Sequence, residues 1–302
     1  MSSNKLCHLI YQHDDKLYTT STTLTACTPF PYALDPDRAI FKSQDVCPSS
    51  YVVETKSTIF HAQGGGQPSD VGAMSAPGVE FDVLSVRHAP NHRVLHLGNF
   101  KDGQNFKTEV EITQRVDEAT RLLHSRIHTA GHLLSLAIRS LSASASAPPA
   151  STIVLFPTPD DGKALLPEIE ELKASHYPGA AFVEFKGLIP GDAKAAIQSR
   201  CDEIVAADLP VQCHWWEEGE LRTRCANVTE SIDGLLEEIE DGKKQARAME
   251  VVGLGAYPCG GTHVGTTLDV GRVVVRNIKR AKGPYADQSR KLTRSSVKRS
   301  VS

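Results

Sequence analysis

The chain has 302 residues, 40% hydrophobic and 23% charged, with a net charge of −3. That length suits one large domain or two ordinary ones, and the composition is that of a globular protein with a sizeable core. There is no run of 18 apolar residues and no apolar leader core in MSSNKLCHLIYQHDD, so no membrane span or secretory leader is expected and the cytoplasm is the expected location.

Residues 8–115 read as β-rich, with strand-like runs at 50–62, 79–88, 92–98 and 106–113. Turn residues separate them: DPDR near 35, GGGQPSDVG at 64–72, APN at 89–91 and KDGQN at 101–105. Short strands at this spacing predict a small barrel or sandwich. The pattern changes near Asp117. Residues 117–141 hold no Pro and one Gly, and Leu123, Ile127, Ala130 and Leu134 recur at helical spacing. A small-residue and proline loop follows at 142–151, then a strand-like TIVLFP at 152–157. Beyond these come an apolar strand at 180–189, a helix at 191–209 and a late strand at 269–280. The run at 234–253 is charged enough to predict a surface cover. Domains are therefore expected at 1–115 and 116–283, with a tail at 284–302.

Charge is uneven. From Arg272 to the end there are ten Lys/Arg and one acid, or +9, which leaves −12 on residues 1–271. A basic end on an acidic body suits phosphate contact, and a solvated tail explains it equally.

Seven cysteines stand at 7, 27, 47, 201, 213, 225 and 259. The odd count and wide spacing predict no disulfide framework. Cys259 sits in CGGTH with His263 four residues on, and the 117–141 helix carries His124, His128 and His132 in HSRIHTAGH. Residues four apart on a helix lie about 40° apart on one face, so two such imidazoles can share one metal ion. The glutamate of an HExxH protease is missing. A Cys/His set suits tetrahedral zinc. His124–His128 and His128–His132 have the same spacing, which leaves both pairs open.

HTAGHLL followed far downstream by CGGTHV, with FHAQGGGQPSDVG at 60–72, resembles the editing domain of alanyl-tRNA synthetase and, more closely, the free-standing alanyl-tRNA editing proteins of the AlaX family. The resemblance spans roughly residues 8–283. It implies an α+β protein: an N-terminal β-barrel-like domain, then a zinc-binding α+β editing domain. It implies one Zn2+ held by His128, His132, Cys259 and His263, with His124 as a neighbour. The implied partner is alanine tRNA mischarged with serine or glycine, with no membrane or DNA partner. The implied activity is aminoacyl-tRNA deacylation in trans, not ligation, since no class II synthetase core or P-loop is seen.

The resemblance also implies a polar residue on a strand after the HTAxH helix that reads the serine hydroxyl. Ser175 or His176 in KASHYPGAAFVEF is the candidate, and a polar turn explains the same residues. In GGGQPSD the glycines permit positive φ or close backbone approach. The resemblance turns Gln67 and Asp70 toward the zinc cleft as candidates for shaping specificity, although a hairpin turn explains the glycines alone. Lys279, Arg280 and Lys282 are candidates for tRNA phosphates. Past Gly283 the sequence is polar and basic where the family implies another apolar strand, so either that strand is missing or the tail replaces it locally. Two rival functions stand beside this one: removal of serine from threonine tRNA, and tRNA binding with a structural zinc and no catalysis.

Overall fold

In the computed structural model the chain divides into two units, Met1–Leu122 and Leu123–Ser302. The structure describes residues 7–107, 109–142, 164–225, 228, 236–238, 242–280 and 289–294, the last as main chain.

The first unit contains β1 (His8–Leu9), β2 (Thr19–Pro29), helix α1 (Asp35–Ala39), β3 (Tyr51–Thr55), β4 (Ser57–Thr58), β5 (Gly72–Ala76), β6 (Val79–Ala89), β7 (Arg93–Phe100) and β8 (Glu111–Val116). Six of these close into an antiparallel barrel in the order β2-β3-β7-β6-β5-β8, while β1 pairs with β4 in parallel. The alternation is clearest in β8, where Ile112, Gln114 and Val116 are buried and Glu111, Thr113 and Arg115 are exposed. The interior is filled by Leu24, Val53, Ile59, Phe60, Met74, Phe81, Val83 and Ile112. Gln114 is buried among them with its bonds made: Oε1 accepts the Ile59 N–H at 3.0 Å, and Nε2 donates to Thr55 Oγ1 at 3.2 Å and the Ser57 carbonyl at 3.1 Å. At Gly98 an added Cβ would lie 1.9 Å from the Asp82 carbonyl oxygen, so only glycine lets β7 approach β6 there.

Several expectations shift. The 50–62 run forms only β3 and β4, and β8 starts at Glu111 rather than 106. DPDR is a short helix, with Pro36 in the first turn where its missing N–H costs nothing. The eleven-residue β2 is absent from the sequence expectations, because its threonine-rich composition resembles a polar loop.

The second unit takes up α2 (Glu118–Ser140), inside which the unit boundary falls, and continues with β9 (Glu170–Ser175), β10 (Phe182–Lys186), α3 (Lys194–Ala206), β11 (Val211–Glu217), α4 (Glu218–Arg224), β12 (Glu237–Glu238), β13 (Lys244–Val251), β14 (Gly255–Pro258), β15 (Val275–Arg280) and β16 (Ser289–Arg294). One sheet has the order β15-β16-β10-β9; in the other β13 pairs with β11, β12 and β14. The expected strand at 152–157 lies outside the described residues, and the late strand begins only at Val275, since 268–270 form a 3-10 turn and 271–274 are irregular.

The surface cover expected at 234–253 is corrected. Its second half is β13, with Ala246, Arg247, Ala248, Met249 and Val251 buried; most of the charges that suggested a surface precede the strand. The strand in question past Gly283 is present as β16, hydrogen-bonded between β10 and β15. No helix among the described residues is long and apolar enough to cross a membrane.

Candidate metal centre

Helix α2 begins with a cap: the Asp117 carboxylate accepts the Thr120 N–H at 2.8 Å, and those Thr120 bonds hold its pKa below the usual carboxylate value. Ile127, Ala130, Leu133, Leu134, Ala137 and Ile138 bury one side of the helix. Leu123, expected on that apolar stripe, is instead exposed. Polar residues are buried as well: His124, Ser125, His128 and Thr129. A helix buried on both sides needs polar partners for the second one.

Those partners come from the turn after β14. Strand β13 pairs with β14, and the ladder continues as the Cys259 N–H donates to the Arg247 carbonyl at 2.9 Å. The chain then reverses through Gly260 and Gly261 to His263. The Ser125 and Thr262 hydroxyls lie 2.7 Å apart. Thr129 Oγ1 accepts the Val264 N–H at 3.3 Å and lies 3.2 Å from Nδ1 of His263. Helix and turn are joined on both sides of the histidine.

Four ligand atoms, from His128, His132, Cys259 and His263, lie within 4.8 Å of one another. The Cys259 sulfur is 3.4 Å from Nε2 of His128 and 3.2 Å from Nε2 of His263. The His128 and His132 rings are stacked, with centroids 5.0 Å apart. With metal–sulfur bonds of about 2.3 Å and metal–nitrogen bonds of about 2.0–2.1 Å, the edges of a tetrahedron come to roughly 3.3–3.6 Å. The two sulfur–nitrogen separations come close to such an edge, while the whole donor set spreads to 4.8 Å, and a thiol with three imidazoles suits a borderline-soft cation rather than calcium or magnesium. This cluster can therefore hold one metal ion. His124 stands outside the four-atom group. Burial pushes the Cys259 thiol up, while the Arg247 charge and the Gly261 amide pull the other way. A cation bound to the thiolate opposes the effect of burial.

His176 follows β9 directly and is buried, its ring stacked on His128 at 4.2 Å. Ser175, the other candidate there, is the last residue of β9 and half-buried. Tyr257 packs its ring 5.0 Å from His132.

The remaining candidates are Gln67, Asp70, Lys279, Arg280 and Lys282. Gln67 and Asp70 belong to the first unit and are fully buried. Gly65 and Gly66 take left-handed φ values of 55° and 75°, and Gln67 closes that turn by pairing its main chain with Gly64. The Asp70 carboxylate accepts the His61 N–H at 2.6 Å and forms a buried ion pair with Arg121. Arg121 also donates to the carbonyls of Asp15 and Ile59. Lys279 and Arg280 are exposed neighbours at the end of β15 and so face opposite sides of the sheet. Lys282 lies outside the described residues.

The sequence expectations omit Ser125, Thr129, Thr262 and Arg247, all of which grip the turn. Thr129 and Thr262 sit inside HTAGH and CGGTH, where a hydroxyl beside a ligand is a usable signal. Arg247 has no such signal, because its partners are twelve and fourteen residues away.

No family model matches the chain. The chain is similar to alanine–tRNA ligases: that of Frankia casuarinae is 28% identical over 222 residues, which is 72% of this chain and 21% of the ligase. That of Methanococcus vannielii is 27% identical over 227 residues, 74% of this chain and 21% of the ligase. That of Acetivibrio thermocellus is 24% identical over 273 residues, 88% of this chain and 27% of the ligase. The chain thus spans about a fifth to a quarter of the length of these relatives.

Proposed function

We propose that the chain is a zinc-dependent editing hydrolase that removes serine, and secondarily glycine, from mischarged alanine tRNA. The observation that carries this reading is the set of four donor atoms from His128, His132, Cys259 and His263 within 4.8 Å. The similarity to alanine–tRNA ligases supports alanine tRNA as partner.

A zinc ion held there supplies Lewis acidity for hydrolysis of the aminoacyl ester. The chain's own residues do the rest. The turn and α2 fix the donors. His176, stacked on His128, offers a ring nitrogen to the serine hydroxyl. A pocket that hydrogen-bonds that hydroxyl discriminates against alanine, which lacks it. In this reading Gln67 shapes specificity from the glycine-rich turn. The Asp70–Arg121 pair makes Asp70 the anchor of that turn. Lys279, Arg280 and Lys282 meet tRNA phosphates, with salt-sensitive contacts that carry no sequence information.

Four protein donors close a tetrahedral site by the usual rule, which favours a second reading: a structural zinc in a tRNA-binding protein. One assay separates them. Purified protein is given Ser-tRNA(Ala), Ala-tRNA(Ala) and Ser-tRNA(Thr), and bound metal is quantified in the same sample. The expected result is loss of serine from alanine tRNA roughly 100-fold or more faster than loss of alanine, with one zinc per chain. Zinc without hydrolysis selects the binding protein. Preferential loss of serine from threonine tRNA selects threonine editing.

A further inference from the structure

Among the described residues of the second unit, Arg247 stands out for what its guanidinium holds. It lies in the middle of β13 and is only 6% exposed. Its Nη1 donates to the carbonyl oxygens of both Cys259 and Gly261, each at 2.7 Å. Its Nη2 lies 3.1 Å from the Cys213 sulfur on the neighbouring strand β11. Its own carbonyl accepts the Cys259 N–H at 2.9 Å. One residue therefore grips Cys259 by both ends of its main chain and reaches past it to the second glycine of the turn.

A two-glycine turn is the least rigid way to connect two ligands, since glycine samples more backbone conformations than any other residue. A cation site needs its ligands held in place before the ion arrives. We infer that Arg247 is a positioning residue for the metal turn: by holding the Cys259 and Gly261 carbonyls against β13, it presents the Cys259 sulfur and the His263 ring to α2. The planar fork is what makes arginine suited to this. One nitrogen spans two carbonyls while the other stays on the adjacent strand, whereas a lysine ammonium is a single point with no fork. The inference rests on the metal reading of the four-donor cluster.

The test uses the full chain in four forms: wild type, R247K, R247M and C259S. Bound zinc is quantified, its release to a colorimetric chelator is timed, and the visible spectrum of the cobalt-substituted protein is recorded. Loss of a residue that orients a metal ligand weakens the site by about 10–100-fold. R247M is expected to release zinc faster by that factor and to show an altered cobalt spectrum, with R247K falling between it and wild type. A lower melting temperature of the metal-free variants with unchanged release and unchanged spectrum overturns the inference, because that is the signature of a merely structural arginine. If R247M does not fold, R247K decides: release at the wild-type rate overturns the inference. Wild-type protein that binds no zinc, like C259S, rejects the metal reading itself and is told apart because the failure appears without any change at Arg247.

Discussion

Cys259 is the one sulfur among the four donors, 3.4 Å from Nε2 of His128 and 3.2 Å from Nε2 of His263. Cys259→Ala is therefore expected to lose stoichiometric zinc and esterase activity together; full activity in zinc-free C259A would sink the mechanism. The histidines divide in the same way. His132→Ala should lose zinc and His124→Ala should keep it, since only His132 belongs to the four-atom group. Metal analysis after dialysis decides, and the reverse result assigns the other helical pair. Thr129 carries a subtler expectation. With a metal ion on His263 Nε2, Nδ1 would carry the proton and donate it to the Thr129 hydroxyl, which also receives the Val264 N–H. Thr129→Val keeps the shape and removes the acceptor, leaving two buried donors unsatisfied. Zinc affinity should fall by about 10–100-fold and return in Thr129→Ser. Chelator competition measures this, and equal affinity in all three proteins rejects the role.

The elements differ in how much of themselves they declare. Helix α2 was legible because its apolar period, lack of proline and abrupt change from the β-rich part all agree. The four donors were legible because two short motifs each carry ligand spacing, although choosing between His124 and His132 needed the turn in place. β2, β13 and β16 were not legible. Threonines fit a pleated, half-buried surface as well as a loop, a charge run hid the start of β13, and β16 owes its place to its neighbours. Long-range pairing also decides the protonation of His96 on β7. Its Nδ1–H donates to the Val53 carbonyl at 3.0 Å and Nε2 accepts the Thr58 hydroxyl at 2.9 Å, so the ring is neutral, and burial lowers its pKa from 6.5 to about 4. The unfolded chain protonates this histidine near 6.5 while the folded barrel does not until about 4. Stability therefore falls as pH drops through that window, by up to about 1.4 kcal/mol per pH unit. His61, lowered to about 3 by burial, adds in the same direction. Urea midpoints at pH 6 and pH 5 should differ less in His96→Gln than in wild type; the same difference in both would remove His96 from the account.

At the scale of the whole chain, all four donors belong to the second unit and none to the barrel. Metal binding that is absent from the unfolded state adds stability by mass action, about 2.7 kcal/mol at a hundredfold excess over Kd. For a unit of this size that corresponds to roughly 5–10 °C in Tm. Calorimetry of zinc-loaded protein, repeated after chelation, is expected to show one transition that moves down by this amount. The moving transition should carry the near-ultraviolet signal of Trp215 and Trp216, the chain's two tryptophans, which lie on β11 beside β13. A transition without that signal belongs to the barrel, whose His96 and His61 make it the acid-sensitive one. The second unit thus answers to metal, and to pH through the protonation of its ligands, while the barrel answers to pH alone. If chelation moves no transition, the cluster holds no ion that matters to folding. If it moves only a transition silent in tryptophan, the ion is bound elsewhere than between α2 and the Cys259 turn.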